Sequence, residues 1–353
     1  MKQLWNWLNT PFRLEEVITN RNRNNFDVIR HFAALTVIYM HCALFSGASE
    51  VWGAFGVPVF FFLSGLLVSQ SFETSSSVKN FLWRRFLRIY PAAVVVILVC
   101  ALVMGPMVTV FTYRDYFTSP VFWKNISSVF LVRIYFDLPG VFQHSLLGTP
   151  VNSCLWTLPL EIKMYLFTLA WGLIGFRKKN LLLALVVLLL IIIGANCSVQ
   201  VQAFLRQKLY LASFKIAPYT SVVPLYLLGM LSYSYRKKIV VKPYWFFVAL
   251  LLLLLLKNFS FFSYLFHSCI AVITLGFAVF TVKWLPKTAL PFDFSYGLYL
   301  YGFPVEQLFL HYAYPSINGF SLFLLVVLTT LILAFLSWHF VEKRALQFRN
   351  YVR

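Results

Sequence analysis

The sequence predicts an all-α, polytopic integral membrane protein with about ten transmembrane helices. Three observations carry that prediction. Of the 353 residues, 60% are hydrophobic and 12% are charged, whereas a soluble protein carries about a quarter charged residues. Runs such as LLLALVVLLLIIIG (181–194) and ALLLLLLLK (249–257) lack the polar stripe that a soluble helix turns to water. Basic residues fall in short clusters between the apolar segments, on alternate sides.

Ten candidate spans follow, at about 27–46, 54–71, 90–111, 156–175, 180–196, 217–234, 243–257, 261–281, 293–313 and 319–341. Each approaches the length needed to cross hydrocarbon. With the N-terminus inside, the inner segments hold 21 Lys and Arg residues and the outer segments seven. That bias predicts cytoplasmic N- and C-termini. It also accounts for the net charge of +19 without a nucleic-acid partner; the expected surroundings are membrane lipids. The five cysteines are scattered without metal-ligand spacing and read as small apolar residues, so no metal is expected. The first apolar run begins near residue 27 and continues into a full span, unlike a cleavable signal peptide.

Residues 1–353 read as one membrane domain with no repeat or soluble module. Leu4, Trp5, Trp7 and Leu8 mark residues 1–26 as an interfacial segment. The first span carries Asp27, Arg30 and His41. Ionisable groups inside a span are expensive and usually functional. Asp27 and Arg30 share a helical face, either as a snorkelling ion pair or as part of an anion site. His41 lies eleven residues beyond Arg30, roughly 16 Å along a helix and about three turns on, so both side chains point the same way. A histidine at that depth serves as general base or proton relay, or as a packed structural group.

The second span carries GAFGVPVFFFLSG (53–65), which favours close helix packing. Arg84, Arg85 and Arg88 precede Tyr90 and Pro91 at the inner end of the third. Fixing topology and binding phosphate through the guanidinium fork both fit them. Residues 112–155 form a long outer loop, and such loops are often functional. It leads into Asn152 and Trp156, which suit either interface anchoring or holding a sugar, and into Glu161, an acid within an apolar segment. The ninth span holds Asp293, Ser295, Tyr296 and Tyr299, with Glu306 and His311 beyond. The role of Glu306 is open.

Taken together, these elements resemble acyltransferase family three, the membrane-bound O-acyltransferases of bacterial surface polysaccharides. The resemblance rests on Phe26-Asp27-x-x-Arg30 with His41, the Gly53–Gly65 element, and the Arg84–Pro91 element. It also rests on Trp156-Thr-Leu-Pro-x-Glu161 and Ser295-Tyr296-x-x-Tyr299-Leu300. These run in order over nearly the whole chain. The family implies ten helices, a cytoplasmic acyl-CoA donor and a periplasmic sugar acceptor. It implies that Arg30, Arg85 and Arg88, with Arg84 beside them, bind the CoA phosphates. It implies His41 at the acyl-transfer centre, with Glu161 beside it in a catalytic role not yet settled. Asp27, Tyr90, Ser295 and Tyr296 would be supporting residues, and Asn152 and Trp156 would contact the acceptor. One departure matters: many members have His where this chain has Gly302. Some members add an SGNH-hydrolase domain, which is not expected here.

The expectation is therefore an enzyme of the bacterial inner membrane. It would move an acyl group, acetyl by preference, from acyl-CoA to a hydroxyl of a surface polysaccharide or its lipid-linked precursor, such as O-antigen. No cofactor is expected to be permanently bound. His41 would deprotonate the hydroxyl or carry the acyl group transiently. The alternative is a transporter or flippase for a lipid-linked glycan, which these residues favour less because no inverted repeat or paired broken helices are evident. A scaffold in an envelope assembly complex is a third reading.

Overall fold

The computed structural model describes residues 2–20, 24–45, 55–175, 179–198, 201, 210–211, 214–215, 217–256, 262–280 and 292–352. Gly53 lies outside the described residues, as do the inner-segment charges Arg21, Arg23, Arg177, Lys178, Lys283, Lys287 and Arg353 and the outer-segment charges Arg206, Lys208 and Lys257.

The chain is mostly helical. Its elements are α1 (Lys2–Leu8), β1 (Phe12–Arg13), α2 (Leu14–Thr19), α3 (Phe26–Phe45), α4 (Gly56–Glu73) and α5 (Val78–Val99). Helix α5 continues through a π-helical stretch, Cys100–Met104, into Gly105–Val108. Next come α6 (Tyr113–Thr118), α7 (Pro120–Ile126), α8 (Thr157–Ile174), α9 (Lys179–Cys197), the antiparallel pair β2 (Tyr210–Leu211) and β3 (Phe214–Lys215), and α10 (Ala217–Ser234). The chain closes with β4 (Val240–Val241), α11 (Trp245–Leu256), α12 (Phe262–Phe280), α13 (Ser295–Ala313) and α14 (Gly319–Ser337), which runs on through a second π-helical stretch, Trp338–Glu342.

A helix thus occupies each of the ten apolar segments. Among the described residues, three are long and apolar enough to cross a membrane: Gly56–Glu73, Val78–Val108 and Gly319–Asn350. Leu182–Ala195, Ser221–Ser234, Trp245–Leu256 and Leu265–Phe280 are apolar but shorter. The outward faces of α11 and α14 carry exposed Leu251, Leu255, Phe320 and Ile332. Such faces suit lipid rather than water, and the protein is a membrane protein.

One boundary departs from hydropathy. The third apolar segment was expected from about residue 90, yet α5 starts at Val78. The Ser77 hydroxyl accepts a hydrogen bond from Asn80 N at 3.1 Å and caps the helix. Lys79, Arg84, Arg85 and Arg88 therefore ride on the helix rather than in the loop before it.

The chain divides into two compact units. The first comprises residues 1–33, 57–74 and 164–291. Here α4 meets α10 backbone to backbone. A Cβ on Gly65 would lie 2.0 Å from Tyr226 O, and one on Gly229 would lie 2.3 Å from Phe62 O. Thr168 and the Tyr226 hydroxyl, 2.7 Å apart, tie α8 to α10. At one end β1 pairs antiparallel with β4, Phe12 opposite Val241. Beside that pair sits Arg236, a residue the charge pattern assigns only to topology. It is buried, pairs with Glu73 at 2.8 Å and Glu15 at 3.8 Å, and lies over the Tyr233 ring. The Tyr233 hydroxyl also donates to Glu73.

The second unit comprises residues 34–56, 75–163 and 292–353. Its centre is α13, in which every residue from Gly297 to Gln307 is buried. Helix α14 packs along it at Gly297, where a Cβ would meet Ala334 Cα at 2.8 Å. Helix α3 comes close at Gly302, where a Cβ would lie 2.8 Å from Ile38 Cγ1. The segment expected as a bare outer loop, 112–155, is instead packed onto this unit. Tyr116 is fully buried and its hydroxyl donates to Ala101 O at 2.7 Å. Burial raises the Tyr116 phenol above its ordinary range. Asn125 clamps the chain by donating to Tyr135 O at 2.7 Å and Asp137 O at 3.2 Å.

Gly65→Ala is expected to lower stability by about 2–3 kcal/mol, because the added methyl meets backbone that no rotamer change can move. Thermal unfolding of the detergent-solubilised protein measures it.

Candidate active site

His41 is presented by α3 inside the second unit. Its ring meets Phe303 of α13 edge-on, with centroids 5.0 Å apart. Its Nε2 lies 3.9 Å from Cys154 Sγ. Cys154 is buried and belongs to a 3₁₀ turn, Ser153–Trp156, that leads into α8. Burial, and then the nearby Glu306 carboxyl, push this thiol well above its ordinary range. It is therefore a poor nucleophile.

What holds Cys154 against His41 is a set of hydrogen bonds from α13 to the segment 145–157. The Tyr299 hydroxyl donates to Cys154 O at 2.7 Å and lies 2.8 Å from the Thr157 hydroxyl. Asn152 Nδ2 donates to Leu300 O at 2.8 Å. Gln307 Nε2 donates to Gly148 O at 3.0 Å and Pro150 O at 2.8 Å, and Gln307 Oε1 accepts from the Ser145 hydroxyl at 2.5 Å. The carbonyl of Leu300 is available because Pro304, four residues on, has no N–H to bond it. One proline thus frees the acceptor that anchors Asn152.

Asn152 was expected to contact an acceptor sugar. Its amide nitrogen is committed to the fold, while its Oδ1 is buried without a hydrogen-bond partner among the described residues. Trp156 is half-buried at the end of the same turn. Glu161, on the first turns of α8, is half-buried and within electrostatic reach of Tyr296 and Tyr299.

A second polar cluster forms where α5 meets α13. Arg88 Nη2 pairs with Asp293 Oδ2 at 2.7 Å, and its Nη1 lies 4.0 Å from Glu342 Oε2. The Arg88 guanidinium sits 5.7 Å from the Tyr296 ring centroid. The Tyr296 hydroxyl donates to Ile89 O at 2.9 Å. The buried Ser295 hydroxyl donates to Asp293 Oδ1 at 2.5 Å, fixing the acid that holds Arg88. Ser337 donates to Glu342 Oε1 at 3.0 Å. Arg84 and Arg85 are half-buried one turn earlier, and Arg84 Nε is a buried donor with no partner among the described residues. Tyr90 stacks on Phe86 at 4.5 Å.

Arg30 belongs to the first unit, where its Nη1 pairs with Asp27 Oδ1 at 2.9 Å. The ion pair foreseen from the i, i+3 spacing is formed. Cys154, Phe303 and Glu342 were not singled out from the sequence. Glu342 carried a visible signal, an acid among apolar residues at the end of the last segment. Cys154 and Phe303 carried none, since both are ordinary core residue types.

Asn152→Ala is expected to destabilise the protein by about 1–3 kcal/mol, because it leaves the Leu300 carbonyl buried without its donor. Thermal unfolding again reports it, and no loss would mean that the tie carries no stability.

A profile of an acyltransferase domain family, acyltransferase family three, matches residues 23–339, nearly the whole chain. The chain is 30% identical over 340 residues to an O-acetyl transferase of Shigella phage Sf6, covering 92% of this chain and 96% of that protein. It is 34% identical over 161 residues to nodulation protein 10 of Rhizobium leguminosarum bv. viciae, covering 41% of this chain and 43% of the relative. It is 30% identical over 175 residues to the peptidoglycan O-acetyltransferase OatA of Listeria monocytogenes, covering 46% of this chain and 26% of that protein. No solved structure matches. With a half-buried histidine on its first long helix, the motifs in order and a family match over nearly its full length, the chain belongs to acyltransferase family three and is an acyltransferase.

Proposed function

We propose that the protein transfers an acetyl group from acetyl-CoA to a hydroxyl of a cell-surface glycan, O-antigen or its lipid-linked precursor. It would do so as a ten-span protein of the bacterial inner membrane with both termini in the cytoplasm. The observation that carries this reading is His41, set on α3 against Phe303 and Cys154, with its Nε2 3.9 Å from a thiol too weak an acid to give up its proton. The relative that covers almost the whole chain is an O-acetyl transferase, which supports acetyl as the group moved.

In this reading the acceptor hydroxyl oxygen attacks the thioester carbonyl carbon, and the C–S bond breaks. The hydroxyl proton passes to His41 Nε2 and then to the departing CoA sulfur. A positioned base of this kind contributes about 10²–10⁴-fold in rate. Arg30, Arg84, Arg85 and Arg88 are assigned to the CoA phosphates. Arg84 Nε has no hydrogen-bond partner among the described residues, which supports this, since a phosphate oxygen satisfies it. Arg88 already holds Asp293, so it serves the fold as well as the donor.

Membranes containing the protein, incubated with labelled acetyl-CoA, are expected to pass label into glycan. His41→Ala and Arg30→Ala are expected to remain in the membrane yet lose that transfer, His41→Ala by about 10²-fold or more. Normal acetylation by His41→Ala ends the catalytic assignment.

The arginines separate by a second measurement. Arg84→Ala is expected to raise the KM for acetyl-CoA by about tenfold with little change in Tm. Arg88→Ala is expected to lower Tm as well, because Asp293 and buried Glu342 lose their cation. Equal Tm losses in both variants would remove the assignment of Arg84 to the donor.

A further inference from the structure

Glu306 is the buried ionisable group that the transfer chemistry above leaves unused. It lies on the face of α13 that α3 covers: Gly302 meets Ile38, Phe303 meets His41, and Glu306 meets Cys42. The residue is 0% exposed, and neither carboxyl oxygen has a hydrogen-bond partner among the described residues. The Cys42 thiol beside it is only a weak donor. Cys154, which touches His41 Nε2, is also within electrostatic reach of Glu306.

A fully buried carboxyl group with only the Cys42 thiol, among the described residues, beside it to donate is unfavourable for folding. An apolar side chain of the same size would suit the position better. The sequence nevertheless places an acid there, three residues and roughly 4.5 Å of helix beyond the Phe303 contact with His41. Buried polar atoms left without a partner call for a ligand or a water that completes them. Two carboxyl oxygens demand a hydrogen-bond donor. An acyl chain supplies none, and a phosphate is an anion. A sugar hydroxyl is a donor, and a glycan carries several on adjacent carbons.

We propose that Glu306 is an acceptor-binding residue, receiving a hydrogen bond from one hydroxyl of the glycan so that a neighbouring hydroxyl is turned toward His41. This rests on the reading of His41 as the base. It makes the substrate a polyhydroxylated ring with a free hydroxyl beside the one acylated.

The test uses full-length protein in membranes, with Glu306→Met as an apolar isostere and Glu306→Gln, whose amide oxygen still accepts. Three quantities are read: Tm, binding of labelled acetyl-CoA, and label transferred to glycan. Glu306→Met is expected to melt at or above the wild-type temperature, to bind acetyl-CoA within threefold of wild type, and to transfer about 100-fold less. Glu306→Gln is expected to transfer more than Glu306→Met. Transfer by Glu306→Met within threefold of wild type overturns the assignment. So does a Tm well below wild type, which makes the carboxyl a fold element, or a Glu306→Gln protein no better than Glu306→Met. If the wild type itself labels no glycan, the reading of His41 falls and this assignment with it. Normal wild-type transfer with an equally active Glu306→Met removes Glu306 alone.

Discussion

The second unit depends on one constraint, the burial of α13 along the whole stretch from Gly297 to Gln307. A helix covered on every side makes each of its polar side chains costly unless a neighbouring element supplies a partner. Tyr299 and Gln307 meet that demand by reaching out to the chain around residues 145–157. Tyr296 does so by bonding the backbone of α5. The same helix therefore organises both ends of the unit: the histidine region through Phe303, and the arginine cluster through the acid just before its first turn. The position of Cys154 against His41 is a by-product of satisfying buried hydroxyls and amides, and no dedicated contact is required.

Small residues set the spacing that makes this possible. Gly297 admits α14 and Gly302 admits α3. A histidine at 302 would need room that Ile38 now fills, so the departure from the common family pattern is coupled to the closeness of α3. Nearness to α3 is also what brings Phe303 into contact with the His41 ring.

Much of this was legible in the sequence, and the limits have physical causes. The ten apolar segments were visible because a helix among lipids shows its composition directly. The start of α5 was missed because hydropathy averages over the cap, where the oxygen of Ser77 outweighs the polarity of Lys79 and the arginines. Arg236 was counted as a topological charge, although Glu15 and Glu73, more than 150 residues away in the chain, hold it in a buried site. Charge patterns report which side a residue lies on and say nothing about its partners. The candidate residues legible in the sequence were His41 and Glu161, whose types are costly in a membrane. Cys154 and Phe303 were not legible, and become informative only through what they touch. Asn152 was readable as polar and out of place, but not as the donor to a carbonyl that Pro304 leaves free.

The π-helical stretch at the end of α14 has a consequence for how such chains are compared. Buried positions on this helix include a series at Leu322, Val326, Thr330, Ala334, Trp338 and Glu342, each four apart, with Ser337 buried beside it. Four residues overshoot one α-helical turn by roughly 40°, so an unbroken helix would carry the later members of the series steadily around its surface. The wider turn at 338–342 takes up part of that slip and returns Glu342 to the side where Arg88 stands. A relative one residue shorter here would have to turn its acid elsewhere or tilt the helix. An alignment gap at these five positions is therefore a change in which side chains face inward, and a column count across it compares residues on different sides of the helix.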